Sequence, residues 1–336
     1  MSEPNTARSF WIPEPDRGEI REAPLDPPGR GEVLVRARYS GVSRGTESLV
    51  FRGRVPESQY DRMRAPFQEG DFPAPVKYGY ASVGRIESIG PGVEELASGQ
   101  TIFCLHPHQD RYVVPATWVH PLPDGVPEER AVLAANMETA VNGAWDARPS
   151  VGDRIVVVGG GVVGLLVGWL MAGVPGTRVR LVDPKPAREE VARTLGMAWE
   201  AQAGEGAGDA DLVVHASGTP QGLACALPLA GQEATVLELS WFGDATVPLP
   251  LGEEFHHRRL TLRSSQVGTL PPHRTPRWDH RRRMGLALRL LRAGELDALL
   301  TGESAFQDLP ATMERLVRDP GDTLCHRVRY PGAGPA

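Results

Sequence analysis

The run Val156-Val157-Val158-Gly159-Gly160-Gly161-Val162-Val163-Gly164 decides the reading of this chain. Three β-branched residues lead into three glycines, and a second apolar run continues to Val174. This reads as a buried strand, a tight turn and a buried helix. A membrane span is the alternative on length, but the glycines and the polar turn at residues 175–178 argue against it. Glycines at 159, 161 and 164 fit G-x-G-x-x-G. The first permits a sharp turn, the second lets the backbone approach a pyrophosphate, and the third lets helix and strand pack closely. The amides of Val162, Val163 and Gly164 open the helix, where unpaired N–H groups and the positive dipole end suit phosphate oxygens.

Asp183 ends the next apolar run and follows Gly164 by 19 residues, near the spacing of a ribose-binding acid. Its carboxylate would accept from a ribose hydroxyl and repel the extra phosphate of NADP, which favours NAD(H) over NADP(H). Lys185 and Arg188 lie just beyond and soften that repulsion. The alternative for the whole motif is a strand, turn and helix whose glycines only serve packing.

Strand-length apolar runs recur at 155–158, 179–182, 212–215 and 234–239, with a helical stretch at 187–195. That alternation predicts an α/β Rossmann domain, a doubly wound parallel sheet with crossover helices. The first thirty residues, rich in Pro and Gly, read as loop or short edge strand. Period-two patterns at 32–39, 81–89, 99–103 and 111–115 predict an all-β first portion, a small barrel. A helix is expected over 128–141, with Pro127 at its start. Helices at 281–292 and 309–317 and a strand at 326–330 complete a tail expected to return to the first domain. The domains are therefore 1–138, 139–265 and 266–336.

Apolar residues make up 41% of the 336, enough for real cores, while the formal net charge of −6 argues against a general nucleic-acid binder. The opening residues show no basic region followed by an apolar one, so no secretory leader is expected. Cys104, Cys225 and Cys325 are odd in number and far apart, which points to a reducing, cytoplasmic setting rather than a disulfide framework. No membrane or nucleic-acid partner is expected.

Local strings sharpen this. Tyr78-Gly79-Tyr80-Ala81-Ser82-Val83-Gly84, Pro149-Ser150-Val151-Gly152-Asp153 and Ala305-Phe306-Gln307-Asp308-Leu309-Pro310 resemble segments of the medium-chain dehydrogenase/reductase superfamily over nearly the whole chain. Ser43-Arg44-Gly45-Thr46-Glu47 with Phe51-Arg52-Gly53-Arg54-Val55-Pro56 resembles its bacteriochlorophyllide dehydrogenase branch and uncharacterised relatives. Gly252-Glu253-Glu254-Phe255-His256 and Arg263-Ser264-Ser265-Gln266-Val267 resemble those relatives. The resemblance implies a GroES-like β-barrel catalytic domain beside the Rossmann domain, a small-molecule substrate and a homodimer. It also places Thr139 and Ser264 at the cofactor. Zinc members carry Cys, His and an acid where this chain has Ser43, Tyr80 and Ala81, and their later Cys falls near Ala135. A catalytic zinc needs about three N, S or carboxylate ligands, so no zinc is expected.

Interconverting an alcohol and a carbonyl requires a hydride transfer and a proton transfer, and some donor must replace zinc at the oxygen. Tyr80 is the first candidate. Its reference pKa is about 10, and a cationic nicotinamide nearby would lower it. Ser43 could hydrogen-bond the substrate oxygen, and Glu47 could take a proton or simply cap its loop. The leading expectation is a zinc-independent NAD(H)-dependent oxidoreductase acting on an alcohol or carbonyl of a small or specialised metabolite. The alternatives are a C=C (enoyl/quinone-type) reductase on the same scaffold, a non-catalytic dinucleotide-binding protein, and retention of zinc through Glu47, Cys104 or His106. His106 and His108 read first as surface polarity, with a relay or substrate contact as the alternative. The basic run from His280 to Arg283 reads as a solvated helix face.

Overall fold

The computed structural model describes residues 6–204 and 208–333. Residues 1–5, part of the segment read above for a leader, lie outside them. The described residues fall into two compact units, one of residues 6–135, 288–292 and 300–333, the other of residues 136–287 and 293–299.

The first unit begins with an antiparallel hairpin, β1 (Thr6–Glu14) and β2 (Arg17–Pro24), where loop or short edge strand was expected. Ala7, Phe10 and Ile12 are buried, and Asp16 makes the turn at φ +63°. Burial of β1 outweighs the local proline content. β3 (Glu32–Val42), α1 (Arg44–Phe51), β4 (Glu69–Gly70), β5 (Val76–Lys77), β6 (Ser82–Ile89), β7 (Thr101–Cys104), β8 (Arg111–Pro115) and β9 (Val119–Pro121) follow. The helix expected over 128–141 is two, α2 (Glu128–Ala131) and α3 (Ala134–Ala147). Leu133 N–H takes the Arg130 carbonyl, a tightened last turn, and Gly41 lies so close to the Val132 carbonyl that a Cβ there would stand 2.9 Å from it.

In the second unit, β10 (Arg154–Val158), α4 (Val162–Ala172), β11 (Arg178–Val182), α5 (Arg188–Thr194), β12 (Ala198–Glu200), β13 (Ala210–His215), α6 (Pro220–Leu229), β14 (Ala230–Glu238) and β15 (Thr261–Ser264) alternate as expected. They form a wholly parallel six-stranded sheet, order β12-β11-β10-β13-β14-β15. The chain runs outward from β10 through β12 and then crosses back to β13, so its direction reverses between β10 and β13. In such sheets the crevice at the carboxyl ends of those two strands is where ligands bind.

α7 (His280–Leu290) lies mostly in the second unit rather than wholly with the tail. The reason is Arg283, which is 1% exposed and not on a solvated face. Its guanidinium donates to Glu138 (3.1 Å), Asn142 (2.5 Å) and the Val267 carbonyl (2.6 Å).

β16 (Leu300–Ala305), α8 (Leu309–Arg318) and β17 (Cys325–Arg329) return to the first unit. α8 buries Leu309, Thr312, Met313, Leu316 and Val317, one helical face. β17 pairs with β3. The first unit therefore holds a four-stranded sheet, β2-β1-β5-β4, and a seven-stranded one, β16-β17-β3-β6-β7-β9 with β8 also on β3. Among the described residues no pairing closes either sheet into the expected barrel. β3 explains the open, branched arrangement. It has two register shifts, and it pairs with β6 along much of its length, with β8 near its start and with β17 near its end.

Candidate functional site

In the second unit, residues in register across the sheet form a row at the carboxyl ends of the strands: Glu200, Val182, Val158, His215, Glu238 and Ser264. The glycine turn leaves β10 from the middle of that row. Gly159 has φ +109°, and a Cβ on it would lie 2.5 Å from Ser217 backbone atoms. A Cβ on Gly164 would lie 2.1 Å from the Gly159 carbonyl, whereas one on Gly161 would meet nothing within 4 Å. The first and third glycines thus close the turn against β13 and α4, and the second keeps open space above the backbone. Gly161 caps α4, and the first-turn amides of Val162, Val163 and Gly164 lack intrahelical acceptors.

Asp183 stands just past β11. Its Oδ2 accepts from Gly160 N–H (2.7 Å) and its Oδ1 from Lys185 N–H (2.9 Å). Each oxygen keeps a lone pair. Arg188 is buried, and a Cβ on Gly160 would lie 3.1 Å from its Cγ, so its stem covers the turn beside Asp183. Ser264 ends β15, exposed and three strand spacings from Val158, about 14 Å. Thr139 is half-buried on α3, next to Glu138. Burial pushes the Glu138 carboxyl above its ordinary pKa, and Arg283 opposes that shift.

A further polar chain meets the turn. His215 Nδ1 lies 2.7 Å from Glu238, and its Nε2 lies 2.6 Å from Ser217 Oγ. Ser217 Oγ also meets the Thr219 amide (3.2 Å) and hydroxyl (2.9 Å), and Thr219 caps α6 by accepting from Gly222 N–H. With its O–H given to His215, both acceptor positions of Ser217 Oγ are taken. The trio has the outline of a nucleophilic triad, but its chemistry is that of a helix cap. Only the buried end of an apolar strand, Val213-Val214-His215, hinted at it in sequence.

The first unit gathers Ser43, Glu47 and Tyr80. Ser43 is the N-cap of α1 without a cap hydrogen bond from its own side chain, and Glu47 in the first turn reaches back so that Oε1 accepts from Ser43 N–H (2.7 Å), one half of a capping box. The Tyr80 hydroxyl bonds the side chains of Ser43 and Thr46. Burial foremost, then the Glu47 charge, pushes the phenol up to about 12, opposite to the lowering expected beside a cationic nicotinamide.

The residue missed here is His108. It and His106 are buried, not surface polarity. His108 Nε2 lies 2.9 Å from Glu47 Oε2, its Nδ1 lies 2.7 Å from Ser40 Oγ, and Ser40 Oγ lies 3.1 Å from the Tyr330 hydroxyl. Its spacing of 61 residues from Glu47 leaves no local signal. His106 stacks on Tyr112 with ring centroids 3.7 Å apart, and its Nδ1 lies 2.9 Å from the Pro107 carbonyl. Burial, chiefly, drops its pKa to about 3. Cys104 is buried and its thiol is pushed up. Among the described residues no three His, Cys, Asp or Glu side chains gather into a group that could hold a metal ion. Ser43, Tyr80 and Ala81, where the resemblance would put zinc ligands, offer a hydroxyl, a phenol and a methyl, which do not fit a zinc centre. Among the described residues no helix is long and apolar enough to cross a membrane.

No family model matches the chain. It is 26% identical over 290 residues to D-guloside 3-dehydrogenase of Escherichia coli K12, covering 79% of this chain and 83% of that protein. In structure it is similar to the RspB alcohol dehydrogenase of Escherichia coli CFT073 complexed with NADH (TM-score 0.75, 18% identity, 97% of this chain and 99% of that one). It is similar also to a putative zinc-binding dehydrogenase of Sinorhizobium meliloti bound to NADP (TM-score 0.75, 17% identity, 96% and 99%). The sequence relatives are dehydrogenases and indicate an enzyme of the medium-chain dehydrogenase/reductase type, and the two solved structures share its fold.

Proposed function

We propose that this enzyme is a zinc-independent, NAD(H)-dependent oxidoreductase that interconverts an alcohol and a carbonyl on a small or specialised metabolite. The observation that carries the reading is Tyr80, a phenol bound to Ser43 and Thr46 and facing Glu47, which the resemblance aligns with a zinc-ligand position. The dinucleotide, when bound, supplies or accepts the hydride. In this reading the open turn at Gly161 and the amides of Val162, Val163 and Gly164 take the pyrophosphate, and Asp183 takes the ribose hydroxyls. Lys185, Arg188, Thr139 and Ser264 complete the cofactor contacts. A GroES-like domain built on the first unit provides the proton group, and a homodimer is the proposed assembly.

Tyr80 is held protonated by burial and by the adjacent charge, so it is a donor: it gives its proton to the oxygen during carbonyl reduction and regains one from solvent before the next cycle, and alcohol oxidation runs the same steps in reverse, starting from the phenolate. Ser43 shares the hydrogen bond to the phenol oxygen and steadies the phenolate formed in between. The bacteriochlorophyllide dehydrogenase branch remains the proposed lineage, on the strings around Ser43 and Arg54.

The test is a titration of purified protein with NADH and NADPH by nicotinamide fluorescence, with zinc content measured on the same sample. Tight NADH binding without stoichiometric zinc is expected. Failure to bind either dinucleotide would remove the reading, and one zinc per chain would overturn its mechanism.

A further inference from the structure

Resting on that reading of Tyr80, we infer that His108 is a positioning residue of the proton-handling group, acting on Tyr80 through Glu47 and through Gly79. Three observations converge. The imidazole is 0% exposed and held at both nitrogens, Nε2 on Glu47 Oε2 (2.9 Å) and Nδ1 on Ser40 Oγ (2.7 Å). Glu47, 3% exposed, divides its carboxylate between that imidazole and the Ser43 amide, so its rotamer is set from both ends. Gly79, the residue before Tyr80, has φ +124°, and a Cβ there would lie 2.8 Å from His108 Cδ2. The ring edge therefore rests on the backbone that aims the phenol.

The donors can be ordered. A carboxylate only accepts, so Nε2 carries the hydrogen to Glu47 in the neutral tautomer and Nδ1 accepts from Ser40. Ser40 Oγ then accepts from Tyr330, whose phenol burial keeps protonated and which stacks on Phe306. The line runs Tyr330, Ser40, His108, Glu47 and ends at the N-cap that carries Ser43. Every polar member is buried. The line therefore anchors Glu47 and does not conduct protons to water. Besides Glu47, Tyr80 faces Ser43, Thr46 and Tyr78, and the Glu47 charge is also felt by Tyr78, Cys325 and Tyr330.

Without its imidazole donor the Glu47 carboxylate is held at one oxygen only, by the Ser43 amide, and swings away from Tyr80. The charge that disfavours the Tyr80 phenolate is then lost. The experiment uses full-length protein labelled with 3-fluorotyrosine, whose more acidic phenol titrates while the protein is folded. Fluorine NMR follows Tyr80, identified by Tyr80→Phe. In His108→Phe and in Glu47→Gln the Tyr80 midpoint should fall by about one pH unit. His108→Gln retains a donor for Glu47 and should stay within about 0.3 unit of the wild type. An unmoved midpoint in folded His108→Phe, with the other tyrosine resonances unchanged, would overturn the inference. Should that variant not fold, His108→Leu, which is smaller and likewise offers Glu47 no donor, must lower the midpoint, and no change there overturns it equally. NADH affinity should stay within about twofold in all of these variants. A selective loss in His108→Phe would show a general structural role and reject positioning. If the wild type binds no dinucleotide the proposed function fails, while the midpoints still decide the role of His108.

Discussion

Oδ2 of Asp183 accepts a hydrogen bond from the amide of Gly160 at 2.7 Å, which ties the acid after β11 to the turn after β10. The same carboxylate proposed to read the ribose therefore also shapes the loop proposed to hold the phosphates. Asp183→Ala should weaken both dinucleotides, NADH by about tenfold or more and NADPH less, because only NADPH gains from removal of the like charge. Nicotinamide fluorescence titrations measure the two losses, and equal losses would undo the assignment of NAD(H) as the preferred cofactor.

Tyr80→Phe removes the phenolic proton and keeps the ring against Tyr78. Carbonyl reduction should fall by about a hundredfold or more, with NADH binding unchanged. Full activity in this variant would favour reduction of an activated C=C bond, which needs no donor at that place.

Arg283→Met strands the Glu138 carboxyl, the Asn142 amide oxygen and the Val267 carbonyl inside the second unit. The expected cost is about 3–5 kcal/mol in urea unfolding. Arg281→Met, on the exposed side of the same helix, should change stability by no more than about 0.5 kcal/mol. Similar losses for the two would contradict the buried guanidinium.

His106 supplies a pH dependence. Its folded pKa, about 3, lies below the ordinary 6.5, so the unfolded chain binds the extra proton between those values. Stability linked to this group is complete above about pH 6.5 and declines as pH falls toward 3, by about 1.4 kcal/mol per pH unit at most. His106→Phe keeps a ring against Tyr112 and cannot take the proton. Denaturant midpoints measured from pH 7 to 5 should fall more steeply in the wild type, and parallel curves would exclude the effect.

The parts legible in sequence were those whose cause is local. A turn that needs φ +109° at Gly159 demands glycine, and an acid at the end of the next strand announces itself by spacing. The parallel order followed from strands and helices that alternate. Distant pairings left no such trace. Arg283 sits in a run of three arginines and is distinguished only by Glu138, 145 residues away. His108 is likewise defined by Glu47 and Ser40, which a linear reading cannot bring to it. The hairpin of β1 and β2 was hidden because prolines and glycines outweighed the short apolar run of Phe10, Trp11 and Ile12. The pattern of short strands did not tell how β3 pairs, where two register shifts let one strand serve three partners.

The pairing of β17 with β3 has a consequence for synthesis. The parallel sheet of the second unit has all its strands once residue 264 has left the ribosome, whereas β3 waits for residues 325–329. Tyr330, which steadies Ser40 beneath His108, arrives later still. A nascent chain, or one clipped just before β17, would thus own a finished parallel sheet while the cluster of Ser43, Glu47 and Tyr80 lacked an anchor. Under the proposed function, such a fragment would be expected to capture cofactor without turning it over, and to do so in competition with the intact enzyme.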